Sequence, residues 1–164
     1  MELWDAYDAD RNKLPHTLTR GEPIPADMYH IVAEVLVRHT DGTYLLMQRA
    51  HTKHMFGGYW EAGAGGSVLQ GETALDGAKR ELFEETGIRS TNLTHLHTLV
   101  ESNIIYETYL CTTGWSKGGI VLQPDETIDY AWLTHDQLLD FIESPDFPPP
   151  IRTRIAPLLA QLQP

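Results

Sequence analysis

Residues 66–88 read GSVLQGETALDGAKRELFEETGI, and the helix they encode decides the fold. The spacing predicts a helix from Thr73 to Thr86, with Leu75, Ala78 and Leu82 at i, i+3 and i+7 forming one apolar stripe. Gly87 suits the left-handed C′ position, and Ile88 is expected to fold back on Phe83 as in a Schellman cap. Glu81, Glu84 and Glu85 share an arc of about 100° beside that stripe. This is the disfavoured end for acids, because the negative pole of the macrodipole costs roughly 0.3–1 kcal/mol per carboxylate. Arg80 can pair with Glu84 at i+4, but one cation cannot neutralise three acids. A solvated acidic face is the ordinary reading of a three-glutamate helix. In this chain it would have to explain acids at the wrong end, beside a buried stripe, after a 56–71 segment containing six glycines. A divalent cation explains all three features, since Glu oxygens are hard ligands for Mg²⁺ or Mn²⁺ and glycine backbone can approach an ion or phosphate closely. The pattern reads as a metal-assisted phosphate site.

Outward from this helix, residues 4–14 predict a small hairpin around the polar turn Asp8–Asn12. Tyr29–Arg38 and Tyr44–Gln48 predict strands joined through Asp41-Gly42. Leu93–Ser102, Asn103–Thr112 and Ile128–Leu133 predict three more. Thr134 with Gln137 three residues on is a capping-box start for another helix. Pro148-Pro149-Pro150 ends that segment, and Ile151–Leu162 predicts a short helix interrupted by Pro157. Strands mixed with two or three helices indicate an α/β or α+β sandwich, and 164 residues suit a single domain, 1–164.

Twelve Lys+Arg against 23 Asp+Glu give a formal charge of −11, which disfavours nucleic acid as a backbone-bound partner. Cys111 is the only cysteine, so neither an intramolecular disulfide nor a Cys-rich zinc site can form. No signal-like or membrane-spanning apolar run is present, and a cytoplasmic protein is expected.

The run Gly66-(five residues)-Glu72-(seven residues)-Arg80-Glu81-Leu82-Phe83-Glu84-Glu85-Thr86-Gly87-Ile88 resembles a complete Nudix box, spanning 66–88. The resemblance implies a Nudix α/β/α sandwich with a mixed central sheet, in this chain with an N-terminal hairpin extension. It implies Mg²⁺- or Mn²⁺-dependent hydrolysis of a diphosphate linkage in a nucleoside diphosphate derivative or similar small molecule. Carried over by position, Glu84 and Glu85 become metal ligands, and Glu81 a further ligand or the base that activates water. The Gly65 carbonyl completes the inner shell, Arg80 orients a box glutamate, and Glu72 is structural support. A late-loop carboxylate assists in many relatives. Glu126 is the candidate for it, although Asp125-Glu126 reads equally well as an exposed turn. Homodimers are common in the family.

Outside the box, Trp4-Asp5-Ala6-Tyr7-Asp8, Tyr29-His30, Gln48-Arg49, Lys53 and Gly58-Tyr59-Trp60 resemble the branch related to isopentenyl-diphosphate isomerases. That likeness implies that Arg49 and Lys53 touch the substrate diphosphate, and His30 matches a metal-binding histidine. The isomerase's catalytic cysteine position holds Gly65 in this chain, however, and two of its metal histidines are replaced by Ser67 and Pro23. Hydrolase is therefore expected over isomerase. It is also expected over a nucleotide-sensing domain, which would have lost box carboxylates. Trp4, Tyr7, Tyr59, Trp60, Tyr106 and Trp115 are candidate stacking residues, although aromatics more often fill a core and Trp60 is expected to, and the Trp115–Gly119 loop is a candidate cleft border. Glu101 and Glu107 are expected to alternate outward along their strands, with the cleft as the alternative for either, and His95 and His97 to share one surface face.

Overall fold

Alternation along two strands sets the layers of the molecule, whose computed structural model describes residues 1–162. The elements run β1 (Leu3–Tyr7), β2 (Lys13–Thr19), β3 (His30–His39), β4 (Tyr44–Arg49), β5 (Trp60–Ala62), β6 (Ala64–Ser67), α1 (Ala74–Thr86), β7 (Leu93–Glu101), β8 (Ile104–Thr113), β9 (Thr127–Leu133), α2 (His135–Phe141) and α3 (Pro149–Gln161). Ile31, Ala33, Val35 and Val37 of β3, with Leu45 and Met47 of β4, pack with Ala78 and Leu82 of α1. Leu36, Tyr44 and Leu46 point the other way, onto Leu138 of α2 and Ile155 and Leu159 of α3. The result is the expected α/β/α sandwich.

The sheet is mixed. Strand β3 runs parallel to β8 from His30↔Ile104 to His39↔Thr113, and the other pairings are antiparallel. It also forks: β3 and β4 pair only at Arg38↔Tyr44, after which β6 takes the flank of β3 while β5 and β9 flank β4. Gly63 sits in the crotch with φ +75°, donating to the Leu45 carbonyl at 2.9 Å, and a Cβ there would overlap the Val35 carbonyl. Only glycine lets the chain cross from one branch to the other.

Several expectations need correction. The second hairpin arm continues past Leu14 to Thr19, with Leu3↔Thr19 in register. Helix α3 starts at the prolines and runs unbroken through Pro157. Pro at N1 loses no bond, and burial of Ile155, Leu158 and Leu159 offsets the bond lost at Pro157. The α1 cap is the simpler left-handed type: Gly87 N–H donates to Phe83 O at 2.8 Å, but Ile88 N–H turns to Thr86 Oγ1. Ile88 enters the core, leaving Phe83 40% exposed beneath Arg89. A bulge in β7 pairs His95 with Tyr109 and His97 with Thr108, so the two histidines take opposite faces.

The N-terminal hairpin has its own small core of Trp4, Ala6 and Leu18. It is tied to the loop before α1, where Gln70 N–H donates to Leu3 O and Gly71 N–H to the Asp5 carboxylate, at 2.9 and 2.8 Å.

Candidate active site

Helix α1 is fixed at its start by a Thr73–Asp76 capping box and sets Glu81 and Glu85 against Gly66 and Gly65 of β6. Arg80 organises them. Its Nε and Nη2 donate to the two Glu72 oxygens at 2.7 and 3.0 Å, and Nη2 also donates to the Ser67 carbonyl at 3.0 Å. Nη1 donates to Glu81 at 2.6 Å and to Glu84 at 3.3 Å. The i+4 pair expected from sequence is thus the longest contact of a hub whose bidentate partner is Glu72. Glu72 is held in turn by the Leu69 amide at 2.9 Å.

The three glutamates differ in environment. Glu84 is the most exposed. Burial pushes the Glu81 pKa up against the opposing pull of Arg80. Burial, then the charges of Glu61 and Glu81, push Glu85 well above the usual carboxylate range, while the Gly65 amide donates to it at 3.3 Å. The backbone closes on this group so tightly that a Cβ on Gly66 would overlap the Glu81 carboxylate.

These side chains border a cavity of about 390 Å³. Arg49, Lys53, Gly65, Arg80, Glu81, Glu84, Glu85 and Glu126 all line it, so the residues expected to serve a hydrolase's metal, catalysis and diphosphate meet there. Lys53 is ion-paired to Glu126, whose carbonyl accepts from the Ala50 amide at 2.8 Å. Arg49 is paired to Glu61 and donates to the Met55 carbonyl at 3.2 Å. Among the described residues no three His, Cys, Asp or Glu side chains stand as a ready-made ligand set. Instead, Glu81 is turned to Arg80, Glu85 to Gly65 and Glu126 to Lys53.

Other expectations fall elsewhere. His30 is buried against Trp4, ring centroids 4.1 Å apart, and burial holds its pKa down to about 4. It does not line the acidic cavity. Lys117 pairs with Asp41 and its carbonyl accepts from the Trp132 indole, so the Trp115–Gly119 loop is tied to the far end of the β3–β4 turn and does not line the acidic cavity. Glu107 is not outward: it is buried beneath Arg11, His95 and Thr98. Trp60 packs on Phe141, and Tyr106 lines a second cavity of about 430 Å³ that adjoins the first.

Sequence reasoning missed Glu2, Arg20, Ser67 and Gln123 in the acidic cavity. The full hairpin register would have found the first two, because pairing Leu3 with Thr19 brings Glu2 and Arg20 together at 2.9 Å.

A Nudix-domain family model matches residues 28–157. An uncharacterised Nudix hydrolase of Listeria monocytogenes is 29% identical over 153 residues, covering 91% of this chain and 89% of that protein. The uncharacterised Nudix hydrolase YfcD of Escherichia coli is 29% identical over 142 residues, covering 82% and 76%. Among solved structures, DR0079 of Deinococcus radiodurans superposes with TM-score 0.77 at 19% identity over 98% of both chains. A bifunctional NMN adenylyltransferase/ADP-ribose pyrophosphatase of Francisella tularensis, complexed with AMP and a Mn ion, gives 0.65 at 19% identity, covering 81% of this chain and 42% of that one. With box, fold and family model in agreement, the chain belongs to the Nudix family and is a Nudix hydrolase.

Proposed function

We propose that the chain hydrolyses the diphosphate linkage of a nucleoside diphosphate derivative or similar small diphosphate, with Mg²⁺ or Mn²⁺, by attack of water at phosphorus. The observation that carries this reading is the convergence of Glu81, Glu84, Glu85 and Glu126 with Arg49 and Lys53 on one cavity. The donor set fits a hard divalent ion. Glu85 is desolvated among the charges of Glu61, Glu81 and Glu126, a concentration of negative charge that a cation relieves.

Glu84, Glu85 and the Gly65 carbonyl would hold the ion, with Glu126 joining once Lys53 turns to a phosphate. Bound there, the metal would neutralise the bridging phosphates and lower the pKa of a coordinated water. Glu81 serves as a further ligand or takes the proton of the attacking water. Its burial raises its proton affinity, which suits a base. Arg80 anchors Glu81 to Glu72 and the Ser67 carbonyl, fixing its position without touching the reacting atoms. Arg49 and Lys53 bind the diphosphate. The whole chain, hairpin included, would act as one domain in the cytoplasm. An isomerase reading lacks its cysteine: Gly65 stands at that position, and Cys111 is buried in β8.

The test is phosphate and nucleotide release from nucleoside triphosphates, nucleotide sugars, dinucleotides, coenzyme A and isoprenoid diphosphates, each with Mg²⁺, Mn²⁺ or chelator, beside Glu85→Gln. A metal-dependent product lost in the variant supports the reading. Silence across the panel with tight ligand binding would replace it with a sensing domain.

A further inference from the structure

The second cavity lies between the sheet and the first turns of α3 and meets the acidic one along Gly65, Gly66 and Ser67. One loop serves both: Lys53 enters the acidic cavity, and Met55 and Phe56 line the other. Phe56 is held at φ +53°, a costly conformation for an aromatic residue, and Met55 is 62% exposed. The loop is folded tightly enough to impose this, with Lys53 N–H donating to Ala50 O and Tyr59 N–H to Phe56 O, both at 3.1 Å.

The charged groups in the wall are paired with one another. Arg154 bridges to Glu34, which also accepts from the Thr108 hydroxyl at 3.4 Å, whereas Arg49, paired to Glu61, stands at the junction with the acidic cavity. A charged ligand group would have to break a largely buried pair. The remaining wall is mainly hydrocarbon, including Val32, Leu36, Ile151 and Ile155. A nucleobase gains most from a free aromatic face, and one of the two rings in this wall is already covered by a cation. The Arg154 guanidinium covers Tyr106 at 4.0 Å, and Phe56 leans on Tyr59 at 5.6 Å. A hydrocarbon needs only burial.

We propose that this cavity seats an uncharged, predominantly hydrocarbon group of the molecule whose diphosphate occupies the acidic cavity, making the substrate a diphosphate monoester of an apolar alcohol. The inference rests on the hydrolase reading and narrows it. Attack of water on either phosphorus forms one P–O bond and breaks the bridging P–O bond. The products are the alkyl monophosphate and orthophosphate, with the water's protons passing to product oxygens or solvent.

The experiment compares kcat/KM for geranyl diphosphate and methyl diphosphate with Mg²⁺, reading orthophosphate. The expected ratio is on the order of 100-fold in favour of geranyl, carried mainly by KM. Ile151→Glu, checked for folding by thermal unfolding, should collapse that ratio. Met55→Ala, at an exposed position, should lower it several-fold. Equal turnover of the two compounds overturns the proposal. So does faster turnover of uridine or adenosine diphosphate with a preference that Ile151→Glu abolishes, which would assign the cavity to nucleosides. If no diphosphate is cleaved, the hydrolase reading fails by itself, and calorimetry then decides the cavity. Tighter Mg²⁺-dependent binding of geranyl than methyl diphosphate, lost in Ile151→Glu, upholds it, and equal binding overturns it.

Discussion

The two cavities share the backbone of Gly65, Gly66 and Ser67 yet handle charge in opposite ways. In the apolar one the charged pair set into the wall is self-contained, Arg154 with Glu34. In the acidic one the carboxylates outnumber the cations, and Glu85 is buried among like charges with only a backbone amide for support. The contrast separates charge that is balanced within the fold from charge kept in excess for something that binds. A chain that clusters three acids at the negative pole of α1 carries a standing cost to stability, and the cost falls on the residues proposed for chemistry.

The sharpest way to break this comparison is Glu85→Gln. Turnover is expected to fall by about 10²–10³-fold or more. The same variant should raise the melting temperature of the metal-free protein at neutral pH. The folded pKa of Glu85 lies above the unfolded one, so the ionised carboxylate destabilises once pH exceeds the unfolded value, and the benefit should vanish in acid. A lower melting temperature, or full activity, would remove Glu85 from the metal-binding set.

The balanced pair predicts the opposite. Glu34→Gln should cost about 2–3 kcal/mol in urea unfolding by stranding Arg154, whereas replacing both with apolar residues should restore most of it. Equal losses in single and double variants would show that the pair is not a unit.

His30 gives a pH signature away from both cavities. Its folded pKa of about 4 lies below the unfolded 6.5, so the unfolded chain binds the proton first as pH falls. Stability should decline from pH 6.5 toward 4, by about 2 kcal/mol at pH 5, and His30→Gln should flatten that slope.

The smallest effect is Lys53→Ala, expected to raise KM about tenfold with little change in kcat. The reverse pattern would move Lys53 from diphosphate binding to transition-state chemistry.

What the sequence made legible follows from where the information lies. Helix α1 and its acids are local, and local periodicity found them, although its Thr73–Asp76 capping box was not read from the sequence. The strands β3, β4, β8 and β9 were legible for the same reason. Arg49, Lys53 and Glu126 came from resemblance, and the fold gathered them at one place. The fork was not legible, because it depends on β6 displacing β4 from the flank of β3. The bulge at His95–His97 was hidden by a pattern that reads as plain alternation. The second cavity was invisible for a simpler reason: Glu34 and Arg154 meet across most of the chain, and each looks like an ordinary polar residue in its own segment.

The parallel seam between β3 and β8 also sets an order of assembly. Its first rung joins His30 to Ile104, and the whole glycine-rich segment and α1 lie within the connection it closes. Loop closure must precede the reward of pairing, so such a seam forms slowly. A chain emerging from the ribosome therefore displays its acidic segment well before β8 exists to complete the sheet beneath it. Until the ten rungs of that seam are laid, the carboxylates remain in water, where crowding them costs little.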